Sequence, residues 1–389
     1  MNTRKQHDHP KRFGTKLIHF GGEIDPQTGA ASVPLYQAST FHHFDLDAPP
    51  RHDYTRSGNP TREVLEDYIA KLESGAKGFA FSSGMAAISS ALMLLSAGDH
   101  IIAAEDVYGG TYRALTTIFN RMNIETTFVD MTDLDAVKRA LKPNTKAVYM
   151  ETPSNPTLKI TDIGAVCAWA KENGLLSMAD NTFMTPYHQR PIEHGADIVL
   201  HSATKFLGGH SDVVAGLAVT ATEELEARLK AIQNGLGTIL GVYDSWLLMR
   251  GMKTLQARME HSERSAARLA EWLSNHPAVK KVYYPGLKDH PGREIHERQS
   301  KGYGAVVSFD VGSGEKARAL LKRVKLPLVA VSLGAVESIL SYPAMMSHAA
   351  MPLEVRLERG ITDGTLRYSV GLEDIEDLLN DLEQALESE

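Results

Sequence analysis

Cysteine is almost missing from this chain: Cys167, in the apolar run AVCAWA, is alone among 389 residues. A single thiol excludes a disulfide within the chain and a thiolate-held zinc, and it suits a reducing compartment. Clustered positive charge is missing too. The 41 Lys and Arg stand against 48 Asp and Glu, a formal charge of −7, and no stretch gathers enough basic residues to steer a polyanion, so nucleic acid is not an expected partner. No apolar run is long enough to span a bilayer, and the opening MNTRKQHDHPKRF lacks the apolar stretch of a signal peptide. These absences lead to the expectation of a cytoplasmic protein without a membrane partner. No G-x-G-x-x-G follows the early strands, GLGTILG at 235–241 has the wrong spacing, and neither HExxH nor Cys-x-x-Cys occurs. Nicotinamide-dinucleotide binding and the common zinc motifs are thereby set aside, and no metal is expected.

What is present has globular balance, with 43% apolar and 23% charged residues, and the length suits two or three domains. Residues 1–60 hold PLYQASTFHHF and YTRSGNPT and read as an extended arm that contacts a neighbouring subunit. From 61 to 250, short β-rich runs (GFAF, HIIAAE, ETTFVD, KAVYME, LLSMAD, DIVLHS) alternate with helical patterns (MAAISSALMLL, DLDAVKRALK, IGAVCAWAKENG). That alternation predicts an α/β domain, a mostly parallel sheet with helices on both faces. The stretch from Asp244 to His276 has helical periodicity, with a break expected near Gly251, and is suited to bridging two domains. Beyond it, VKKVYYPG, GAVVSFDVG, LPLVAVS and TLRYSVG alternate with GEKARALLKRV and LEDIEDLLNDLEQALES. Residues 251–389 therefore read as a smaller C-terminal α+β domain.

In an open parallel sheet, ligands sit beyond the carboxyl ends of the strands, so the residues that follow each strand carry the argument. After GFAF, Ser82, Ser83, Gly84 and Met85 open a helix whose first N–H groups suit either a phosphate or plain serine capping. After LLSM comes Asp180, a carboxylate that either caps the next turn or needs a buried cationic partner, such as a protonated pyridine nitrogen. After DIVL, the run His201 to His210 carries Ser202 and Thr204, hydroxyls two apart that suit phosphate oxygens, and Lys205. A lone lysine at a strand end is normally solvated; one partly buried there would have a lowered pKa and react with aldehydes. HIIAAE leads to Tyr108, which could stack on a planar ring or simply pack. KAVYME leads to Asn155, which could contact a ring hydroxyl or a substrate carboxylate, or start the turn. His42, His43 and His348 read as surface or turn residues.

The series YTRSGNPT, FSSGMAA, EDVYGGTYR, ETPSNPT, ADNTF, HSATKFLGGHSD, RGMKTLQARM, YYPGL, VSLGAVES and LRYSVGLED resembles, in order and over nearly the whole chain, the trans-sulfuration (Cys/Met metabolism) enzymes. These depend on pyridoxal 5′-phosphate (PLP) and include the cystathionine synthases and lyases and methionine γ-lyase. The resemblance implies the PLP-dependent transferase fold of type I. It also implies that Lys205 binds the cofactor's aldehyde carbon, Asp180 meets the pyridine nitrogen and Tyr108 stacks on the ring, with Lys205 and Tyr108 the catalytic pair. Gly84, Met85, Ser202 and Thr204 would hold the phosphate, joined by Tyr54 and Arg56 from a neighbouring subunit of a homodimer or homotetramer. Arg367 would pair with the α-carboxylate of an amino-acid substrate, helped by Ser332 and Asn155; taken alone, Arg367 would be read as a surface strand residue.

Two departures separate the members of the family. Methionine γ-lyases carry cysteine where this chain has Gly110, and γ-synthases and γ-lyases commonly have Glu before the serine of the SLG motif, where this chain has Val331. The expectation is therefore closest to bacterial cystathionine β-lyase. Such an enzyme releases homocysteine, pyruvate and ammonia, as in methionine biosynthesis. A γ-lyase, a γ-synthase, an O-acylhomoserine sulfhydrylase and a non-catalytic PLP-binding regulator are the alternatives.

Overall fold

The computed structural model describes residues 11–19, 25, 27–349 and 351–387. Parts of the expected arm, at 1–10, 20–24 and 26, lie outside the described residues. The rest of the arm is not wholly extended. Phe13–His19 forms a helix whose Leu17 is buried and whose Leu17 carbonyl accepts a hydrogen bond from Tyr68 at 2.6 Å.

All six strands read from the first alternation form: β1 (Lys77–Phe81), β2 (His100–Ala104), β3 (Glu125–Val129), β4 (Thr145–Glu151), β5 (Leu176–Asp180) and β6 (Ile198–Ser202). A further strand, β7 (Gly216–Thr220), joins them in a seven-stranded sheet of order β1-β7-β6-β5-β4-β2-β3. β7 runs antiparallel to both β1 and β6, and the remaining pairs are parallel. β2 and β7 are buried along their whole length, as expected of strands covered on both faces by helices.

The second sheet is built from β8 (Lys281–Tyr283), β9 (Val306–Asp310), β10 (Leu328–Val329), β11 (Ile339–Ser341) and β12 (Thr365–Ser369), in the order β10-β11-β12-β9-β8. The fold is thus α/β with a mostly parallel sheet and a smaller α+β part. Two apolar cores result. Helix Leu255–Asn275 places Leu255 and Met259 in the larger and Ala266, Leu269 and Leu273 in the smaller. The expected break near Gly251 falls instead at Lys253 and Thr254, between this helix and Val242–Met252. Gly251 marks close packing, since a Cβ there would stand 2.2 Å from the Gly208 carbonyl oxygen.

Candidate active site

The register of the large sheet sets the site. Glu151 ends β4 directly opposite Asp180 at the end of β5, and β6 ends at Ser202 beside them. Arg367 on β12 and Ser332, in the loop before β11, approach from the smaller sheet. Between them lies a cavity of about 420 Å³ lined by Gly84, Met85, Tyr108, Asn155, Asp180, Ser202, Thr204, Lys205, Ser332 and Arg367, and by Glu151 and Gly110.

Lys205 Nζ donates to Ser332 Oγ at 2.6 Å. Burial, reinforced by the charge of Arg367, lowers its ammonium to about 8. Ser332 is held in a left-handed conformation at φ 88°, a strain that for a non-glycine residue survives only where the surroundings fix it. Its carbonyl accepts from Arg367 Nη2 at 2.8 Å, and Asn155 Oδ1 accepts from Arg367 Nη1 at 2.8 Å. Arg367 is only 3% exposed and its Nε has no partner. No carboxylate among the described residues forms an ion pair with it. A buried cation of this kind is prepared for an anion from outside.

Asp180 presents the opposite charge. Its Oδ1 accepts from the Thr182 N–H at 3.0 Å and the Thr182 hydroxyl at 2.5 Å, and its Oδ2 accepts from the Tyr149 hydroxyl at 3.3 Å. Burial raises its pKa against these bonds, and no basic side chain among the described residues pairs with it. At the cavity's other end, Ser83 caps helix Gly84–Leu92 by accepting from the Ala86 N–H at 3.0 Å. The helix's first N–H groups find no partner within the helix itself. A Cβ on Gly84 would fall 2.7 Å from that of Ser202, so only glycine leaves this cradle open. The Thr204 hydroxyl, in contrast, is engaged with the Ala215 backbone, donating to its carbonyl at 3.2 Å and accepting from its N–H at 3.0 Å.

The cavity therefore offers a lowered-pKa amine, a buried carboxylate without its own cation, an open helix start and an unpaired guanidinium. Residues 14–387 match the family described as Cys/Met metabolism PLP-dependent enzyme.

The chain belongs to that family.

It is 61% identical over 372 residues to a cystathionine β-lyase of Bacillus subtilis, covering 96% of this chain and 95% of the relative. A cystathionine γ-lyase of the same organism is 54% identical, covering 96% and 99%. Among solved structures, cystathionine γ-lyase from Lactobacillus plantarum in complex with L-serine superposes with a TM-score of 0.94 at 48% identity, covering 96% and 98%. Cystathionine γ-synthase from Xanthomonas oryzae pv. oryzae in complex with cystathionine does so at 0.95 and 42%, covering 97% and 98%.

This member of the PLP-dependent family suits the cofactor chemically: the amine matches its aldehyde, Asp180 its ring nitrogen and the Gly84 helix start its phosphate. Two expected cofactor residues are not brought to the cavity. Tyr54 is 46% exposed, and Arg56 donates to the Asn234 carbonyl at 2.8 Å while lying 5.6 Å from the Tyr54 ring. His348 takes the turn alternative of its sequence reading and not the surface one. It lies in a turn, as expected, but is 1% exposed, with Nε2 donating to the Asn155 carbonyl at 3.1 Å. His42 and His43 are exposed. Glu151 and Thr182 also escaped the sequence reading, although the rule that found Asp180 at the end of LLSMAD finds Glu151 at the end of KAVYME.

Proposed function

We propose that this family member is a carbon–sulfur lyase that cleaves cystathionine by β-elimination, yielding homocysteine, pyruvate and ammonia. The observation that carries the cofactor assignment is the buried Lys205 amine, lowered to about 8 and opening on the same cavity as Asp180 and Arg367. PLP, when bound, supplies an electron sink for the charge left at the substrate's Cα. The chain's own residues do the rest. Arg367 holds the substrate α-carboxylate, with Asn155 and Ser332 fixing the guanidinium plane through its other donors. That contact orients the Cα–H toward Lys205, whose neutral amine removes the proton. Gly84, Met85 and Ser202 would hold the phosphate, together with Thr204 once its hydroxyl turns from Ala215, and Tyr108 would pack against the ring.

The preference for β-cleavage rests on the cavity mouth and on the 61% identity to a β-lyase. β-Elimination needs one proton removed, at Cα, whereas γ-chemistry needs a second removed at Cβ. Val331, 61% exposed beside Ser332, and Val214, 62% exposed, add apolar surface to the cavity lining, so the position before Ser332 supplies no acid to assist a second transfer. The 54% identical γ-lyase supports γ-cleavage as a second reading. The division into an arm at 1–60 and domains at 61–250 and 251–389, and a cytoplasmic location, belong to the same proposal.

The lysine assignment is tested by reducing the PLP-loaded protein with borohydride and mapping the labelled peptide. The label is expected on Lys205, and Lys205→Ala is expected to abolish pyruvate release from cystathionine. A label on another lysine, or an active Lys205→Ala protein, would remove Lys205 from this role.

A further inference from the structure

Glu151 and Asp180 face each other in register at the ends of adjacent parallel strands, are 5% and 6% exposed, and make no ion pair among the described residues. Two unpaired carboxylates so placed cannot both ionise at reasonable cost, so one of them keeps a proton. Hydrogen bonding selects which. Asp180 receives three donors, the Thr182 N–H and hydroxyl and the Tyr149 hydroxyl, and each favours the charged form. Glu151 receives one, the Tyr108 N–H, which donates to its Oε2 at 2.8 Å. We infer that Glu151 is the proton-holding half of this carboxyl pair, a positioning residue that leaves the negative charge on Asp180 and ties down the Tyr108 backbone.

The surroundings agree. Burial raises Glu151 well above the usual carboxylate range, followed by the charge of Asp180; the Tyr108 N–H opposes this, Asp106 adds to it and Arg367 opposes it. The other groups near the pair are Tyr149 on the same strand, itself raised by burial and by both acids, and His201, whose charge favours an ionised Asp180. Arg367 cannot decide against this assignment, because its fork is directed at Asn155 and Ser332. The consequence is that a cationic ring nitrogen meets one carboxylate, Asp180, while a neutral acid stands beside it. This rests on the reading of Asp180 given above.

The test uses the PLP-loaded full chain. The infrared spectrum of the wild type minus that of Glu151→Gln should contain the carbonyl band of a protonated carboxylic acid across neutral pH. Asp180→Asn should retain that band. Glutamine keeps the acceptor for the Tyr108 N–H, and a thermal melt verifies that the variant folds. In parallel, PLP added to the apoproteins and followed by tryptophan fluorescence should bind Glu151→Gln within about threefold of wild type and Asp180→Asn at least about tenfold more weakly. Loss of an ionised-carboxylate band in Glu151→Gln, or a PLP affinity for that variant as poor as that of Asp180→Asn, would overturn the assignment. If Asp180→Asn instead binds PLP like the wild type, the reading of Asp180 itself fails, while the infrared difference still reports which acid holds the proton.

Discussion

Replacing Arg367 probes the proposed substrate anchor directly. Its guanidinium has five N–H donors, of which three are committed to Asn155 Oδ1, the Ser332 carbonyl and, at 3.1 Å, Ser341 Oγ. The remainder, including the unpartnered Nε, are available to a carboxylate. Truncating one partner of a buried, hydrogen-bonded charge pair costs about 2–5 kcal/mol, so Arg367→Ala should lower kcat/KM for cystathionine by about 30-fold to a few thousand-fold. KM should rise, and kcat should fall as well, because a carboxylate held by nothing no longer aligns the Cα–H with Lys205. Arg367→Lys retains the charge but not the planar fork and should fall between wild type and alanine. The assay is pyruvate release coupled to a dehydrogenase, with the bound cofactor's absorbance as the control for an intact site. A kcat/KM within threefold of wild type for Arg367→Ala, with the cofactor in place, would refute the anchor and the reasoning from unpaired donors.

Three other outcomes follow from the same geometry. In the apoprotein, the rate of PLP capture should climb about tenfold per pH unit below about 8 and level off above it, because Lys205, lowered to about 8, reacts only as the neutral amine; a pH-independent rate would contradict this. Gly110→Ala would set a Cβ 2.3 Å from a Tyr108 ring carbon and 3.0 Å from Met85 Sδ. The clash should tilt the Tyr108 ring, destabilise the fold by about 1–3 kcal/mol and slow turnover, and an unchanged circular dichroism of the cofactor with unchanged kinetics would exclude it. Mixing inactive Lys205→Ala and Arg56→Ala subunits should restore one intact site in two per mixed dimer, since Tyr54 and Arg56 stand outside their own chain's cavity and two-fold symmetry can exchange them; no recovery after verified subunit exchange would count against shared sites.

The strands were legible because each is a short β-rich apolar run between turn signals, and the parallel arrangement followed from their alternation with helices. β7 was not, since GLAVT follows a glycine-rich loop and its antiparallel insertion between β1 and β6 depends on pairing partners remote in sequence. β11, with three residues, is too short to show a period. Helix Glu223–Leu236 carries its own start signal, Thr222 as cap and three acids in the first turn. Within the site, the residues after the strand ends converge as the topology rule requires. His348 sits in a turn, one of the two places read for it, and its burial was not legible because its contact with the Asn155 carbonyl joins residues far apart in sequence. The pairing of Glu151 with Asp180 arises only from strand register, and the conformation of Ser332 only from packing between segments remote in sequence, information carried by no local motif.

The most direct measurement is the identification of the products formed from cystathionine by the purified, PLP-loaded protein. Homocysteine and pyruvate in equal amounts, with pyruvate release abolished in Lys205→Ala, are the predicted result. Cysteine and 2-oxobutyrate as the main products would contradict β-elimination and assign the chain to γ-cleavage.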